Sequence, residues 1–252
     1  MLAYNNSANL IYIPVFLIGS ILARGAGCII NDIFDQQLDK KVARTKNRPL
    51  PSGYVTTKQA IAIAVLLLCC CLIILLSLTA TAIYIGFLAF LLITIYPLMK
   101  RVTYFPQVFL GLTFNIGCLI GYAAIQDNLS KDAVTLYIAC GFWIVAYDTI
   151  YAFMDIKDDK KVGIKSTAIF FEHKPYKLIL AALYLIFFGL FAFAFRALLS
   201  NLTIYAIILC IAVAFWGVFS LDIKKERNCF TRFKLNNYIG FVLFLAILLE
   251  KL

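Results

Sequence analysis

The stretch AIAIAVLLLCCCLIILLSLTATAIYIGFLAFLLITIYPLM, residues 60–99, contains no charged side chain. A single helix of that length would be about 60 Å long, twice the ~30 Å thickness of bilayer hydrocarbon. It therefore has to hold two spans, with Thr79-Ala80-Thr81 as the turn between them. Working outward, residues 102–126, 133–147, 178–195, 197–221 and 235–249 are also free of charge. Eight spans result, over about 9–30, 60–78, 81–98, 105–125, 133–154, 176–195, 201–221 and 235–250. Barrel-strand alternation is missing and a spanning backbone must bond within itself, so the spans are helical. The expectation is an all-α, polytopic transmembrane helical bundle, a single domain over residues 1–252. Composition agrees: 63% of residues are hydrophobic and 14% charged, against about 25% charged in a soluble domain. The first eight residues carry no positive charge and no processing site follows, so nothing reads as a cleavable signal peptide.

The net charge of +10 raises the question of nucleic acid, and its placement answers it. Nineteen of the 23 Lys and Arg residues fall in alternate connections, within 31–59, 99–104, 155–177 and 222–234. The opposite side holds Lys131, Arg196 and Lys251, with Arg24 inside a span. That distribution follows the positive-inside rule; it orients the chain and is no nucleic-acid footprint. The eight cysteines form no CxxC pair and keep no metal-ligand spacing with histidine, so they read as small apolar core residues. His173 reads as a solvent-facing loop residue.

The acids carry more information. Seven of the 13 form two clusters, Asp32, Asp35 and Asp39, then Asp148, Asp155, Asp158 and Asp159, each at the cytoplasmic end of a span. On a continuing helix Asp32, Asp35 and Asp39 share one face. Asp155 and Asp159 align likewise, with Asp148 two turns deeper on nearly the same side. Like charges stacked on one helical face are destabilising unless something neutralises them. A hard divalent cation does so, and Mg²⁺ is commonly shared between carboxylates and substrate phosphates. Arg44, Lys46, Arg48 and Lys165 are placed to clamp phosphate oxygens. The plainer alternative, solvated loop charges balancing a basic rim, fits a single run better than two runs with helical spacing. Asp148 lies inside an otherwise uncharged span, and Arg24 precedes Asn31 by seven residues as Asp148 precedes Asp155, which suggests an Arg24–Asp148 ion pair.

The stretch from Arg24 through Asn31-Asp32-Ile-Phe-Asp35-Gln-Gln-Leu-Asp39, with Arg44-Thr-Lys-Asn-Arg-Pro-Leu-Pro-Ser-Gly53 after it, resembles the first aspartate motif and following loop of the UbiA membrane prenyltransferase family. Tyr147-Asp148-Thr-Ile-Tyr151-Ala-Phe-Met-Asp155-Ile-Lys-Asp158-Asp159, leading to Lys165-Ser-Thr, resembles the second motif of the branch acting on 4-hydroxybenzoate. Lys100-Arg101-Val-Thr-Tyr-Phe-Pro-Gln-Val and Cys229-Phe-Thr-Arg-Phe-Lys-Leu-Asn-Asn237-Tyr-Ile-Gly240 are similar to that branch too, so the likeness runs over roughly 24–240. The resemblance implies transfer of a polyprenyl group from polyprenyl diphosphate to 4-hydroxybenzoate, ortho to its hydroxyl, on the ubiquinone pathway. It implies Mg²⁺ held by Asn31, Asp32, Asp35, Asp39, Asp155 and Asp159, help with anionic groups from Arg101 and Lys165, and an aromatic or cation pocket lined by Tyr147 or Tyr151.

Other readings are another branch of the same superfamily, an inactive remnant, and a secondary transporter. A transporter places its acids near the midplane; here they gather at one membrane face. Nine spans are the family's expectation, and with eight counted the chain begins in the connection after the family's first helix. Asn236 and Asn237, at the start of the last span, are expected to cap it or touch substrate. The membrane implied is a bacterial inner membrane, with the motif loops on its cytoplasmic side.

Overall fold

In the computed structural model, residues 11–40 and 45–250 are described. Arg44, the first eight residues and Lys251 lie outside them. Among the described residues there are eleven α-helices and no strand. They are α1 (Tyr12–Asp39), α2 (Thr57–Leu76), α3 (Ala80–Val102), α4 (Pro106–Phe114), α5 (Gly117–Gln126), α6 (Lys131–Ala152), α7 (Ile156–Val162), α8 (Thr167–Phe171), α9 (Tyr176–Ala194), α10 (Asn201–Phe219) and α11 (Glu226–Leu249). Eight stretches are long and apolar enough to cross a membrane, with α4 and α5 together making one.

The expected spans are all present, with four differences. The turn between the second and third lies at Ser77–Thr79, slightly ahead of Thr79-Ala80-Thr81. The fourth is broken at Asn115-Ile116, where Asn115 Nδ2 donates to the Tyr137 carbonyl (2.6 Å). The fifth stops at Ala152, so Asp155 and Asp159 are not on one continuous helix with Asp148. A turn over residues 153–155 separates the two helices, and Phe153 within it and Ile156 just after it are both buried. The last helix starts at Glu226, well before 235, because charged residues end a membrane span without ending a helix.

Contacts divide the chain into two compact units, residues 11–99 with 116–128 and residues 100–115 with 129–250. In the first, α2 opens with a capping box, Thr56 and Gln59 exchanging hydrogen bonds across its first turn. Only Ala60 and Ala64 of α2 are buried. Ile63, Leu66, Ile73, Tyr84, Leu88 and Leu91 face outward, an apolar surface suited to lipid. In the second unit, Leu180, Tyr184, Phe187 and Phe188 of α9 pack on α6, where Ala139 and Ala146 are fully buried and let the helices approach. The cysteines only partly follow the expectation. Cys210 and Cys229 are buried, whereas Cys28 and Cys69 are exposed on α1 and α2, as a thiol facing lipid can be. His173 is exposed beside Glu172, as expected.

The start of α3 is tied to the end of α5. Asp127, with φ at 48°, accepts the Thr81 backbone N–H through Oδ1 (3.0 Å), and the Thr81 hydroxyl donates to the Asp127 carbonyl (2.8 Å). The Thr81 N–H holds the Asp127 carboxyl below the ordinary carboxylate range. A depressed folded-state pKa contributes stability above the unfolded value of about 4 that is lost as pH falls through the folded one. Thermal unfolding in detergent should therefore show an acid step below about pH 4 that is diminished in Asp127→Asn.

Candidate functional site

The first aspartate motif is built on the last three turns of α1. Asp35 and Asp39 are 3% and 8% exposed, and Asn31 and Asp32 are half-buried. The loop after α1 folds back on this acidic end. Arg48 donates from one nitrogen, Nη1, to Asp32 Oδ1 at 3.0 Å and to Asp39 Oδ2 at 3.2 Å, so one guanidinium bridges two motif carboxylates. Its position follows from the loop. The Thr45 hydroxyl donates to the Asp39 carbonyl (3.0 Å) and the Arg48 N–H to the Thr45 carbonyl (2.9 Å). Leu50 is buried between two prolines, and Gly53 takes the positive φ of 83° that lets the chain turn into α2. Gln36, on α1 beside Asp35, accepts from the Thr57 hydroxyl (3.2 Å) and donates to the Leu50 carbonyl (3.4 Å). Gln36 and Thr45 hold the loop to the motif, and neither is marked by charge or spacing in the sequence. Arg24 lies on the same helix, exposed, about two turns before Asn31.

The second unit carries the other motif. Asp148 lies on α6 within the span; Asp155 precedes α7 and Asp159 lies one turn further, its N–H donating to the Asp155 carbonyl (2.8 Å). Gly163, at φ 74°, ends α7 and directs the chain to Lys165. The Lys165 N–H donates to the Lys100 carbonyl (2.8 Å), its Nζ to the Val102 carbonyl (3.1 Å), and its ammonium sits 5.5 Å from the Tyr104 ring centroid. Lys165 is thus pinned to the end of α3, where Arg101 is exposed one residue from Lys100. Gln107, 6% exposed, accepts the Thr167 N–H at 3.1 Å and fixes the start of α8 behind it. Tyr147 and Tyr151 sit one helical turn apart on α6, and Phe233 of α11 lies against both, at 5.8 and 4.9 Å between centroids.

Chemically, the first cluster offers carboxylate oxygens and one amide oxygen, a hard donor set that fits a divalent cation such as Mg²⁺. Among the described residues, no three His, Cys, Asp or Glu side chains converge on one metal position, and the Arg48 guanidinium already pairs with two of the acids. Phe233 and Trp143 join the expected tyrosines as an aromatic group, and Asn236 does not cap a helix. It lies inside α11, 6% exposed, and accepts from the Trp143 indole.

The chain is similar to known prenyltransferases. The 4-hydroxybenzoate octaprenyltransferase of Haemophilus ducreyi is 41% identical over 240 residues, covering 93% of this chain and 84% of that protein. The mitochondrial 4-hydroxybenzoate polyprenyltransferase of Bos taurus is 36% identical over 242 residues, covering 95% of this chain. The chain spans 65% of that bovine protein's length. Among solved structures, a UbiA homologue from Aeropyrum pernix K1 superposes with a TM-score of 0.84 at 23% identity, over 100% of this chain and 93% of the other. A UbiA homologue from Archaeoglobus fulgidus, bound to GPP and Mg²⁺, gives 0.66 at 18% identity over 93% and 87%. The UbiA prenyltransferase family matches residues 1–245, a range that takes in both aspartate motifs and all eight candidate spans up to the last turn of α11, and this integral membrane chain belongs to that family.

Proposed function

We propose that this chain transfers a polyprenyl group from polyprenyl diphosphate to 4-hydroxybenzoate, forming a carbon–carbon bond ortho to the hydroxyl. The observation that carries the reading is the bridged cluster Asp32–Arg48–Asp39, oxygen ligands and a guanidinium at one membrane-boundary helix end, in a chain 41% identical to an enzyme named for that reaction. The residues that would hold Mg²⁺ are Asn31, Asp32, Asp35 and Asp39 in the first unit, and Asp155 and Asp159 in the second. When bound, Mg²⁺ neutralises the diphosphate and stabilises it as a leaving group.

The protein's own groups supply the rest. Arg48 presents a fork of donors suited to phosphate oxygens, and Lys165, held on the Val102 carbonyl, adds a fixed point charge. Arg101, Arg24 and Arg44 complete the anion-binding complement, and Asp148 lies in the span near the aromatic wall. Loss of diphosphate leaves positive charge on the allylic carbons. The faces of Tyr147, Tyr151 and Phe233 are electron-rich and oppose such charge without bonding to it. The ring carbon beside the 4-hydroxybenzoate hydroxyl then attacks the allylic carbon, and loss of the ring proton restores aromaticity. The outward apolar helix faces give a lipid-soluble tail a medium continuous with the bilayer. The reading puts both motifs toward the cytoplasmic face of a bacterial inner membrane, as the positive-inside distribution of Lys and Arg supports.

Membranes carrying the chain, given a polyprenyl diphosphate, 4-hydroxybenzoate and Mg²⁺, are expected to form 3-polyprenyl-4-hydroxybenzoate. Chelation with EDTA should stop product formation and added Mg²⁺ restore it. Product that persists in EDTA, or well-folded chain that prenylates no hydroxybenzoate, would sink the assignment.

A further inference from the structure

A buried, fully bonded polar side chain of the second unit lies on α11. Asn236, 6% exposed on α11, accepts through Oδ1 from the Trp143 indole N–H at 2.8 Å and from the Tyr184 hydroxyl at 2.8 Å. Its amide Nδ2 donates to the Phe233 carbonyl at 3.0 Å and more weakly to the Arg232 carbonyl at 3.5 Å. A buried amide is costly in an apolar bundle, and leucine would fill this helix position without that cost. What Asn236 gains is a fixed position for the Trp143 ring. Trp143 meets Tyr147 edge to face at 5.7 Å, and Phe233 meets Tyr147 at 5.8 Å. Of these two rings, Trp143 is the one bonded to the Asn236 side chain, through its indole N–H.

The indole is confined from other directions too. It stacks on Phe187 at 5.0 Å and 12° between planes. One turn after Asn236, a Cβ at Gly240 would lie 2.8 Å from Trp143 Cη2, so glycine leaves the room the ring occupies. Neither Trp143 nor Asn236 needs this arrangement for helix formation. It defines where the Tyr147 ring can sit.

We propose that Asn236 is a positioning residue for prenyl transfer, fixing Trp143 and through it the Tyr147 face against which allylic positive charge develops. The proposal rests on the prenyl-transfer reading above. Charge on the allylic carbons is greatest in the transition state, so misplacing the ring should lower kcat and leave the KM of both substrates nearly unchanged. A drop of about tenfold is the scale of one misdirected ring–cation contact.

The test uses Trp216→Phe as the parent, which leaves Trp143 as the sole tryptophan. Ultraviolet resonance Raman spectra should show a hydrogen-bonded indole N–H in the parent and lose that signature in Asn236→Leu. In the same proteins kcat should fall about tenfold, with each KM within about twofold. Gly240→Ala, which pushes the indole from its far side without touching Asn236, should give the same split between kcat and KM. Tyr184→Phe removes the other donor to the same oxygen and should leave kcat unchanged. The proposal is overturned by a parent indole without a hydrogen bond, by unchanged kcat once the signature is lost, or by an equal kcat loss in Tyr184→Phe. If the parent prenylates a different aromatic acceptor, the acceptor assignment fails and the variants are read on that acceptor. A parent that turns over no allylic diphosphate overturns both.

Discussion

Asp32→Ala is expected to lower kcat/KM for the prenyl diphosphate by at least about 10³-fold, roughly 4 kcal/mol of transition-state stabilisation. The substitution removes one of the proposed oxygen ligands on the α1 face and one of the two carboxylates that share Arg48 Nη1. The Mg²⁺ concentration for half-maximal rate should rise by about tenfold or more, as expected when a coordinating group is lost. Arg48→Met should have the opposite effect on the metal and the same direction on turnover. Without the guanidinium between them, Asp32 and Asp39 repel each other and bind a cation more readily, so less Mg²⁺ is needed. The fork that faces phosphate is gone, and turnover should fall about 100-fold. Arg48→Lys should recover little, since an ammonium is a single point charge and cannot reproduce the fork. A Mg²⁺ titration of hydroxybenzoate prenylation in membranes reads all three variants. Asp32→Ala retaining activity within tenfold of the parent, or Arg48→Met needing more Mg²⁺, would show that the bridged cluster is not the diphosphate site.

How much of this was legible in the sequence depends on what each feature answers to. Charge-free runs mark where hydrocarbon lies, so the number of spans came through. Helix ends did not, because α1 continues to Asp39 and α11 begins at Glu226, both beyond their charge-free runs. For the first motif this extension matters, since it makes the spacing of Asp32, Asp35 and Asp39 a true helical face. The second motif went the other way. No glycine or proline marks the break between α6 and α7, so nothing in the local sequence announces it. The break within the fourth span did carry a signal, Asn115-Ile-Gly117 in the middle of an apolar run. The acids and bases of the site were readable because charge is rare in such a chain. Gln36, Thr45 and Gln107 were not, and Asn236 was marked only as a cap or substrate contact, since a neutral polar residue declares its role through its partners.

Gly111 and Gly141 look alike in the sequence, each a glycine within an apolar helix, yet they should respond oppositely to alanine. A Cβ on Gly111 of α4 would lie 3.0 Å from the Gly141 carbonyl oxygen and 3.3 Å from its Cα. Those atoms are backbone of α6 and cannot rotate away, so the helices must separate. A Cβ on Gly141 meets nothing within 4 Å. Alanine in a helix interior gains about 0.5–1 kcal/mol over glycine, whereas overpacking costs about 1–3 kcal/mol. At Gly141 only the gain applies, and Gly141→Ala should be neutral or slightly stabilising. At Gly111 the cost exceeds the gain, and Gly111→Ala should lower the detergent melting temperature by several degrees. Gly111→Leu, with three more carbons against the same backbone, should leave little folded protein. The consequence reaches the chemistry because α6 also carries Trp143, Tyr147, Asp148 and Tyr151. Separation of α4 from α6 should therefore reduce turnover in Gly111→Ala even at temperatures where it remains folded, while Gly141→Ala keeps parental activity. Thermal unfolding and prenylation measured on the same preparations decide it. Equal behaviour of the two alanine variants would mean that the α4–α6 approach is not as close as 3.0 Å implies.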